Sequence, residues 1–233
     1  ENFINCILVF NLGVKIRWLG HASFQIKTDE KVVYFDLYRS KQLRERVPDE
    51  LEPALVVFVT HAHNDHCFPE AINEVRTNDT IVVAPKDCGE KLDYTFESLK
   101  PGDVSTFHDI EVKAVHAYNV KRFRSPGNPY HPKGYGVGYL VKLEGKTIYF
   151  AGDTDVIPEM NELGPIDVAL LPCGDTYTMD NKDAAEATKI IKPKVVIPMH
   201  TWDKSIEDFK NGISDTDTKF VSLKEGEEYT VID

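Results

Sequence analysis

The run Thr60-His61-Ala62-His63-Asn64-Asp65-His66 sets three imidazoles and a carboxylate within six residues, directly after the apolar stretch Leu55–Val59. Packed histidines each need a hydrogen-bond partner when buried and repel one another once protonated; a metal ion removes both difficulties. In an extended or tightly turned segment His61 and His63 point the same way while Asp65 and His66 project onward, so one short run can serve two neighbouring ions.

Further ligands are expected where other buried strands end. His116 follows Ile110–Val115, Asp153 follows Thr147–Phe150 within Ala-Gly-Asp-Thr-Asp, and His200 follows Val195–Pro198 and Met199. Any one of these could be an ordinary turn residue. With the first cluster they make seven candidate metal ligands, too many for one tetrahedral site, so two divalent ions are expected: zinc, with manganese or iron also suited to His and carboxylate donors. The sequence has no G-x-S-x-G elbow, and Cys67, Cys88 and Cys173 have no independent histidine partner, so the nucleophile is expected to come from solvent.

The elements that must carry these side chains are mostly strands. Short β-rich runs span Val14–Leu19, Ser23–Lys27, Val32–Phe35, Leu55–Val59, Ile81–Ala84, Ile110–Val115, Gly138–Leu143, Thr147–Phe150, Val168–Leu171, Val195–Pro198 and Tyr229–Ile232. The first three read as an antiparallel meander, and Glu144-Gly145 as a hairpin turn. Helices are expected at Pro69–Val75, at Asp183–Ile191 with Asp180 or Asn181 as cap, and at Ser205–Lys210. Two strand-rich halves, each with helices, fit a four-layer αββα sandwich of the α/β (α+β) class. Lys121 to Gly138, with Pro126, Gly127, Pro129, Pro132, Gly134 and Gly136, is too rich in breakers for a regular element and is expected to be a substrate-facing loop.

Bulk properties narrow the function. A formal charge of −11, from 38 acidic and 27 basic residues, opposes a broad phosphate-binding surface, so no nucleic-acid partner is expected. Four dispersed cysteines without a C-x-x-C pair indicate neither zinc ribbon nor disulfide scaffold, and a reducing cytoplasm is the simplest setting. The apolar stretch Phe3–Phe10 is too short to span a bilayer and lacks the flanks of a signal peptide, so no membrane association is expected. A homo-oligomer remains compatible with the sequence.

The pattern T-H-x-H-x-D-H, followed by a later His, A-G-D-T-D and a late His, resembles the metallo-β-lactamase superfamily. Within it, Lys15–Phe24, His131-Pro132-Lys133-Gly134, Tyr149–Asp155, Tyr177-Thr178-Met179-Asp180 and Ile197-Pro198-Met199-His200 resemble the metal-dependent hydrolases similar to ascorbate-6-phosphate lactonase, whose distant relatives include phospholipase-D-type phosphodiesterases. The resemblance runs from Val14 to the C-terminus. It implies the metallo-β-lactamase fold, with His61, His63 and His116 on a first metal, Asp65, His66 and His200 on a second, and Asp153 bridging. Asn64 and Cys67 depart from the usual pattern without removing a ligand, and Cys67 reads as a buried inert thiol. Residues 1–13 precede the usual start, Val14 standing where relatives have their initiating Met, and read as an extension of undetermined structure.

Two metals joined by a carboxylate can share a water, lower its pKa and present hydroxide to a carbonyl or phosphoryl centre. Asp65 is the expected catalytic carboxylate, orienting the hydroxide and carrying its proton to the leaving group. His21 is expected to orient a ligand carboxylate, and Lys86, His131, Lys133, Tyr177 and Thr178 to meet substrate from loops over the metals. Lys121, Arg122, Arg124 and Lys133 make the loop basic in an acidic chain, which points to an anionic small molecule. The leading reading is hydrolysis of a small ester-like or lactone substrate, phosphorylated or carboxylated; a phosphodiesterase is the alternative. A nuclease would need an inserted domain, a lactamase an export signal, and a di-iron electron carrier a flavin domain. A purely metal-binding protein would be expected to lack ligands, and none is missing.

Overall fold

The computed structural model of the chain describes residues 13–47 and 50–232. The expectation for residues 1–13 therefore lies, apart from Gly13, outside the described residues. In chain order the strands are β1 (Val14–Gly20), β2 (Ser23–Lys27), β3 (Val32–Phe35), β4 (Val56–Phe58), β5 (Ile81–Ala84), β6 (Glu97–Ser98), β7 (Val104–Phe107), β8 (Ile110–Ala117), β9 (Phe123–Ser125), β10 (Asn128–Pro129), β11 (Gly136–Leu143), β12 (Lys146–Phe150), β13 (Val168–Pro172), β14 (Val195–Met199), β15 (Lys219–Phe220) and β16 (Glu228–Val231). The helices are α1 (Lys41–Arg46), α2 (Pro69–Val75), α3 (Asn181–Ile191) and α4 (Glu207–Gly212).

Two seven-stranded sheets form, in the orders β16-β1-β2-β3-β4-β5-β6 and β15-β14-β13-β12-β11-β8-β7. In each, an antiparallel portion passes into parallel strands: β3, β4, β5 and β6 in the first, β12 to β15 in the second. Parallel strands must be covered on both faces, and the side-chain alternation shows how. Val33, Phe35, Val56 and Phe58 face Val141, Ile148, Phe150 and Leu170 of the other sheet in one buried cluster. The alternate residues Tyr34, Val57 and Val82 pack on Ala71, Ile72 and Val75 of α2, while Tyr149, Ala169, Leu171 and Val196 pack on Ala184, Ala187 and Ile191 of α3. That is the αββα sandwich. Phe35 stacks on Phe58 at 5.1 Å and on Phe150 at 4.8 Å, tying the sheets together. Its truncation to alanine is expected to cost about 3–5 kcal/mol.

The parallel strands end at one edge, where the two sheets approach closely. Val137 N donates to Thr60 O (2.9 Å) and the Tyr139 hydroxyl to Val59 O (2.8 Å). A Cβ on Gly152 would stand 3.0 Å from Val137 O and 3.1 Å from the Thr60 side chain, and φ there is +64°, so this crossing needs glycine.

Three local features differ from the sequence expectation. The strand expected at Ile110–Val115 continues to Ala117, placing His116 inside the ladder opposite Val137. Ser40, whose hydroxyl accepts from Leu43 N (3.3 Å), starts the unforeseen α1. The breaker-rich segment contains the β9/β10 hairpin, turning at Gly127 with φ +76°. Among the described residues no helix is long and apolar enough to cross a membrane.

Candidate metal centre

Thr60 and His61 leave the end of β4, Asp36 the end of β3, Asp153 the segment after β12, and His200 the end of β14. Three groups of donor atoms result among the described residues: His61, His63 and His131; His21, Asp65, His66 and His200; and Asp36 with His61 and His66, which adjoins both. Asp153 lies between them. Its Oδ2 is 3.3 Å from His131 Nε2, 3.4 Å from His200 Nε2 and 3.9 Å from His61 Nε2, and its Oδ1 is 3.4 Å from His66 Nε2.

Hydrogen bonds at the far nitrogens fix how these rings face. The Asp36 carboxylate is fully buried; its Oδ1 accepts from Thr60 N (2.7 Å), and its Oδ2 from the Thr60 hydroxyl (2.6 Å) and His66 Nδ1 (2.6 Å). Because the Thr60 hydroxyl spends its hydrogen on Asp36, it can only accept from His61 Nδ1, 2.9 Å away. Asn119 does the same for His131. Its Nδ2 donates to Tyr177 O (3.0 Å), which orients the amide, and its Oδ1 accepts from both His131 N and His131 Nδ1 at 2.8 Å. His61 and His131 therefore turn a bare Nε2 lone pair inward, and His66 turns its Nε2 toward the same place.

The lone pairs converge. His61 Nε2 lies 3.1 Å and His131 Nε2 3.2 Å from His63 Nδ1, which carries at most one hydrogen and so can satisfy only one of them. These spacings are close to the ~3.4 Å edge of a tetrahedron with ~2.1 Å bonds to nitrogen. His66 Nε2, Asp153 Oδ1 and both ring nitrogens of His200 are buried without a hydrogen-bond partner. Stranded lone pairs are costly unless a cation gathers them, so the donor set fits metal. Burial, first of all, holds His61 well below the ordinary imidazole range and His131 down at about 4, so both offer neutral nitrogen at physiological pH. Burial would raise Asp153, yet His200 and His66 outweigh it and hold the carboxyl well below its usual range. Burial would likewise lower His66, but Asp153 and Asp36 carry it up to about 10, so without metal a proton occupies its place.

Of the ligands expected from sequence, the fold gathers His61, His63, Asp65, His66, Asp153 and His200; it does not gather His116. As part of the β8 ladder, His116 has its ring 6.1 Å from that of Tyr118 and its Nδ1 buried without partner, and it belongs to none of the donor groups. The strand runs two residues further than expected, and His131, read as a substrate contact, fills the third corner instead. His21 Nε2 meets Asp65 Oδ2 at 3.0 Å, beside the donors rather than over them. Asp36 and Asn119 were not singled out in the sequence. Asp36, a polar residue closing the buried run Val32–Phe35, carried the same strand-end signal as the ligands; Asn119 carried none.

The loop contacts also change. Thr178 is fully buried, its hydroxyl donating to Met179 O, which removes it from any substrate surface. Tyr177 is part exposed, edge-on to Tyr130 at 4.7 Å. Lys86 is exposed in the turn Lys86–Glu90 after β5. The basic rim is met by carboxylates: Lys121 donates to Asp183 (2.7 Å), Lys133 to Glu159 (2.6 Å), and Arg122 pairs with Asp155 (3.0 Å) and with Asp183. Of these four cations only Arg124, 5.3 Å over the Tyr130 ring, has no ion pair among the described residues. Cys67, Cys88 and Cys173 are buried free thiols.

Beside His21 and Asp65 opens a cavity of about 240 Å³ walled by Trp18, Tyr38 and Trp202. A carboxylate one-third exposed, held by a histidine at the wall of a cavity and adjoining buried metal donors, can bind, orient and deprotonate water.

Comparison with known proteins places the chain among metal-dependent hydrolases. Residues 15–200 match the beta-lactamase superfamily domain. A UPF0173 metal-dependent hydrolase from Thermococcus kodakarensis is 39% identical over 229 residues, covering 92% of this chain and 98% of its own. A solved structure from Parabacteroides distasonis superposes with a TM-score of 0.82 at 31% identity, over 92% of this chain and 94% of that one. Igni18, a metallo hydrolase from Ignicoccus hospitalis, does so at 0.71 and 25% identity, over 93% and 97%. The chain thus belongs to the UPF0173 family of metal-dependent hydrolases, within the beta-lactamase superfamily.

Proposed function

We propose that this protein hydrolyses a small ester-like or lactone substrate at a centre of two divalent ions, zinc fitting the donor set best. The observation that carries this is the place of Asp65: its carboxylate belongs to a metal-donor group, accepts from His21 and lines a cavity that adjoins that group. His61, His63 and His131 would hold the first ion, Asp65, His66 and His200 the second, with Asp153 between. Bound there, the ions would supply the positive charge that polarises the substrate oxygen and eases the loss of a proton from water.

The chain's own residues do the rest. Burial lowers His21 to about 4, so it is neutral and donates through Nε2 to Asp65. That bond, with the charge of His66, outweighs burial and keeps Asp65 ionised across the physiological range. Ionised Asp65 can take a proton from attacking water and return it to the leaving oxygen. Trp202 and Tyr38 stand edge-on to His21, at 4.9 and 6.1 Å, limiting water on that side.

The test is Asp65→Asn in the metal-loaded enzyme, assayed against carboxylic esters, lactones and phosphodiesters with metal content measured in parallel. An amide can still coordinate but cannot carry the proton, so turnover should fall by about 10²–10⁴ while most of the metal stays. Wild-type turnover by the metal-bound variant would reduce Asp65 to a ligand; activity confined to phosphodiesters would replace the ester reading.

A further inference from the structure

We infer that the cavity beside His21 and Asp65 receives the non-reacting part of the substrate as an uncharged aromatic or apolar group, with Trp202 as the residue that selects it. This rests on the hydrolase reading above and names its substrate class. The sequence alone pointed to an anion. The geometry points elsewhere, because three of the four rim cations meant to receive one, Lys121, Arg122 and Lys133, are already paired.

Three aromatic side chains, Trp18, Tyr38 and Trp202, wall the cavity among polar residues such as Ser40, Gln42 and Thr201. Trp18 is pinned by its indole nitrogen, which donates to His21 O at 3.0 Å, and Tyr38 packs edge-on to Phe68 at 5.2 Å. Trp202 closes the side nearest the metal donors, 4.9 Å from His21 and 5.2 Å from His200, yet remains 49% exposed. The fold holds that indole out deliberately: His200, Trp202 and Asp203 all have positive φ, 52°, 51° and 56°, and Lys204 Nζ fastens the turn to Gly174 O at 2.7 Å. Strained backbone presenting an exposed aromatic residue at a cavity mouth is the arrangement of a ligand contact. The charge is equally selective. Arg46, the cavity's only cation among the described residues, is bound to Glu225 at 3.1 Å, whereas exposed Asp203 has no ion pair among them. An anionic group here would face an unneutralised carboxylate. As to size, a closed apolar cavity of about 150 Å³ admits benzene, so about 240 Å³ admits one ring with a short substituent.

The chain's two tryptophans both line this cavity, so its fluorescence reports binding there directly. The metal-free protein would be titrated with N-benzylacetamide, with its para-carboxylate and with its para-aminomethyl cation, exciting at the indole edge. The neutral amide should saturate the fluorescence change at a concentration at least about tenfold below either charged analogue. Trp202→Ala should weaken it about tenfold, and Trp202→Phe, which restores a ring, should stay within about threefold of wild type. In the metal-loaded enzyme, benzyl acetate should be cleaved with higher kcat/KM than its para-carboxylate, Trp202→Ala raising KM while sparing kcat. Asp203→Asn should narrow that preference. Equal or tighter binding of a charged analogue, or fluorescence indifferent to all three, overturns the inference. If the amide binds as expected but no ester is turned over, the hydrolase reading fails and the cavity assignment stands; if esters are cleaved without preference and without response to Trp202, the reverse holds.

Discussion

Asn119→Ala should weaken the first metal position without removing any of its ligands. The side chain accepts from His131 N and Nδ1 and donates to Tyr177 O, and His131 itself is only 2% exposed. Alanine therefore strands two donors and one acceptor where water has little access. Each stranded buried donor costs about 1–3 kcal/mol, so the metal-free protein should lose about 2–4 kcal/mol, allowing for partial rescue by water. For a chain of this size that is a fall in Tm of roughly 4–16 °C. The ring would also be free to turn its Nε2 away from His63. Loss of such an outer partner typically lowers metal affinity about 10–100-fold, or about 1.4–2.7 kcal/mol. Proton competition adds little, because burial already holds His131 at about 4. Asn119→Asp keeps the acceptor and should retain the ion, though its second oxygen then opposes Tyr177 O. Chelator-competition titration of both variants, with elemental analysis and melts of the metal-free forms, reads these effects separately. If Asn119→Ala binds both ions within about twofold of wild type, or if His116→Ala loses an ion that His131→Ala keeps, the third ligand has been misplaced here.

Metal uptake at pH 7.5 should release a proton from His66, which Asp153 and Asp36 raise to about 10 against the effect of burial. The apparent affinity should accordingly rise with pH toward that value, and calorimetry in buffers of different ionisation enthalpy would show no release if the assignment were wrong. Gly174→Ala has no room, since its Cβ would fall 2.0 Å from His200 O and 2.7 Å from the Trp202 ring; a loss above about 3 kcal/mol is expected, and an unchanged melt would mean that the His200 turn is looser than described. Arg122→Ala should destabilise by about 3–5 kcal/mol rather than merely raise KM, because it leaves fully buried Asp155 with only the backbone amides of Val120, Lys121 and Arg122; wild-type stability with altered substrate selectivity would restore the loop as a charged rim. Asp183 is held below its usual range, burial being outweighed by Lys121 and Arg122, so its contribution exists above the ordinary carboxylate range and is lost as pH falls through the lowered value. Acid melts of Arg122→Ala should therefore show a shallower decline than wild type.

The sequence by itself determined what is local or periodic. Runs of β-branched and aromatic residues at Val32–Phe35 and Thr147–Phe150 name strands, and His61 to His66 announces a metal centre because no structural role needs so many imidazoles so close together. The Glu144-Gly145 turn was legible for the same reason, and both residues do adopt positive φ, 46° and 74°. Tertiary structure decided whatever depends on where a strand stops or what lies opposite. On the sequence His116 reads as a metal ligand and His131 as a substrate contact. Only the extension of β8 to Ala117 holds the first in the ladder, and only Asn119, linked to the loop at both backbone and side chain, brings the second back to the donors. Lys121, Arg122 and Lys133 look like free cations until folding sets Asp155, Asp183 and Glu159 against them from distant positions. Charge in a sequence is a count, whereas the field at a site depends on distances between residues far apart in the chain, and those distances exist only in the folded protein.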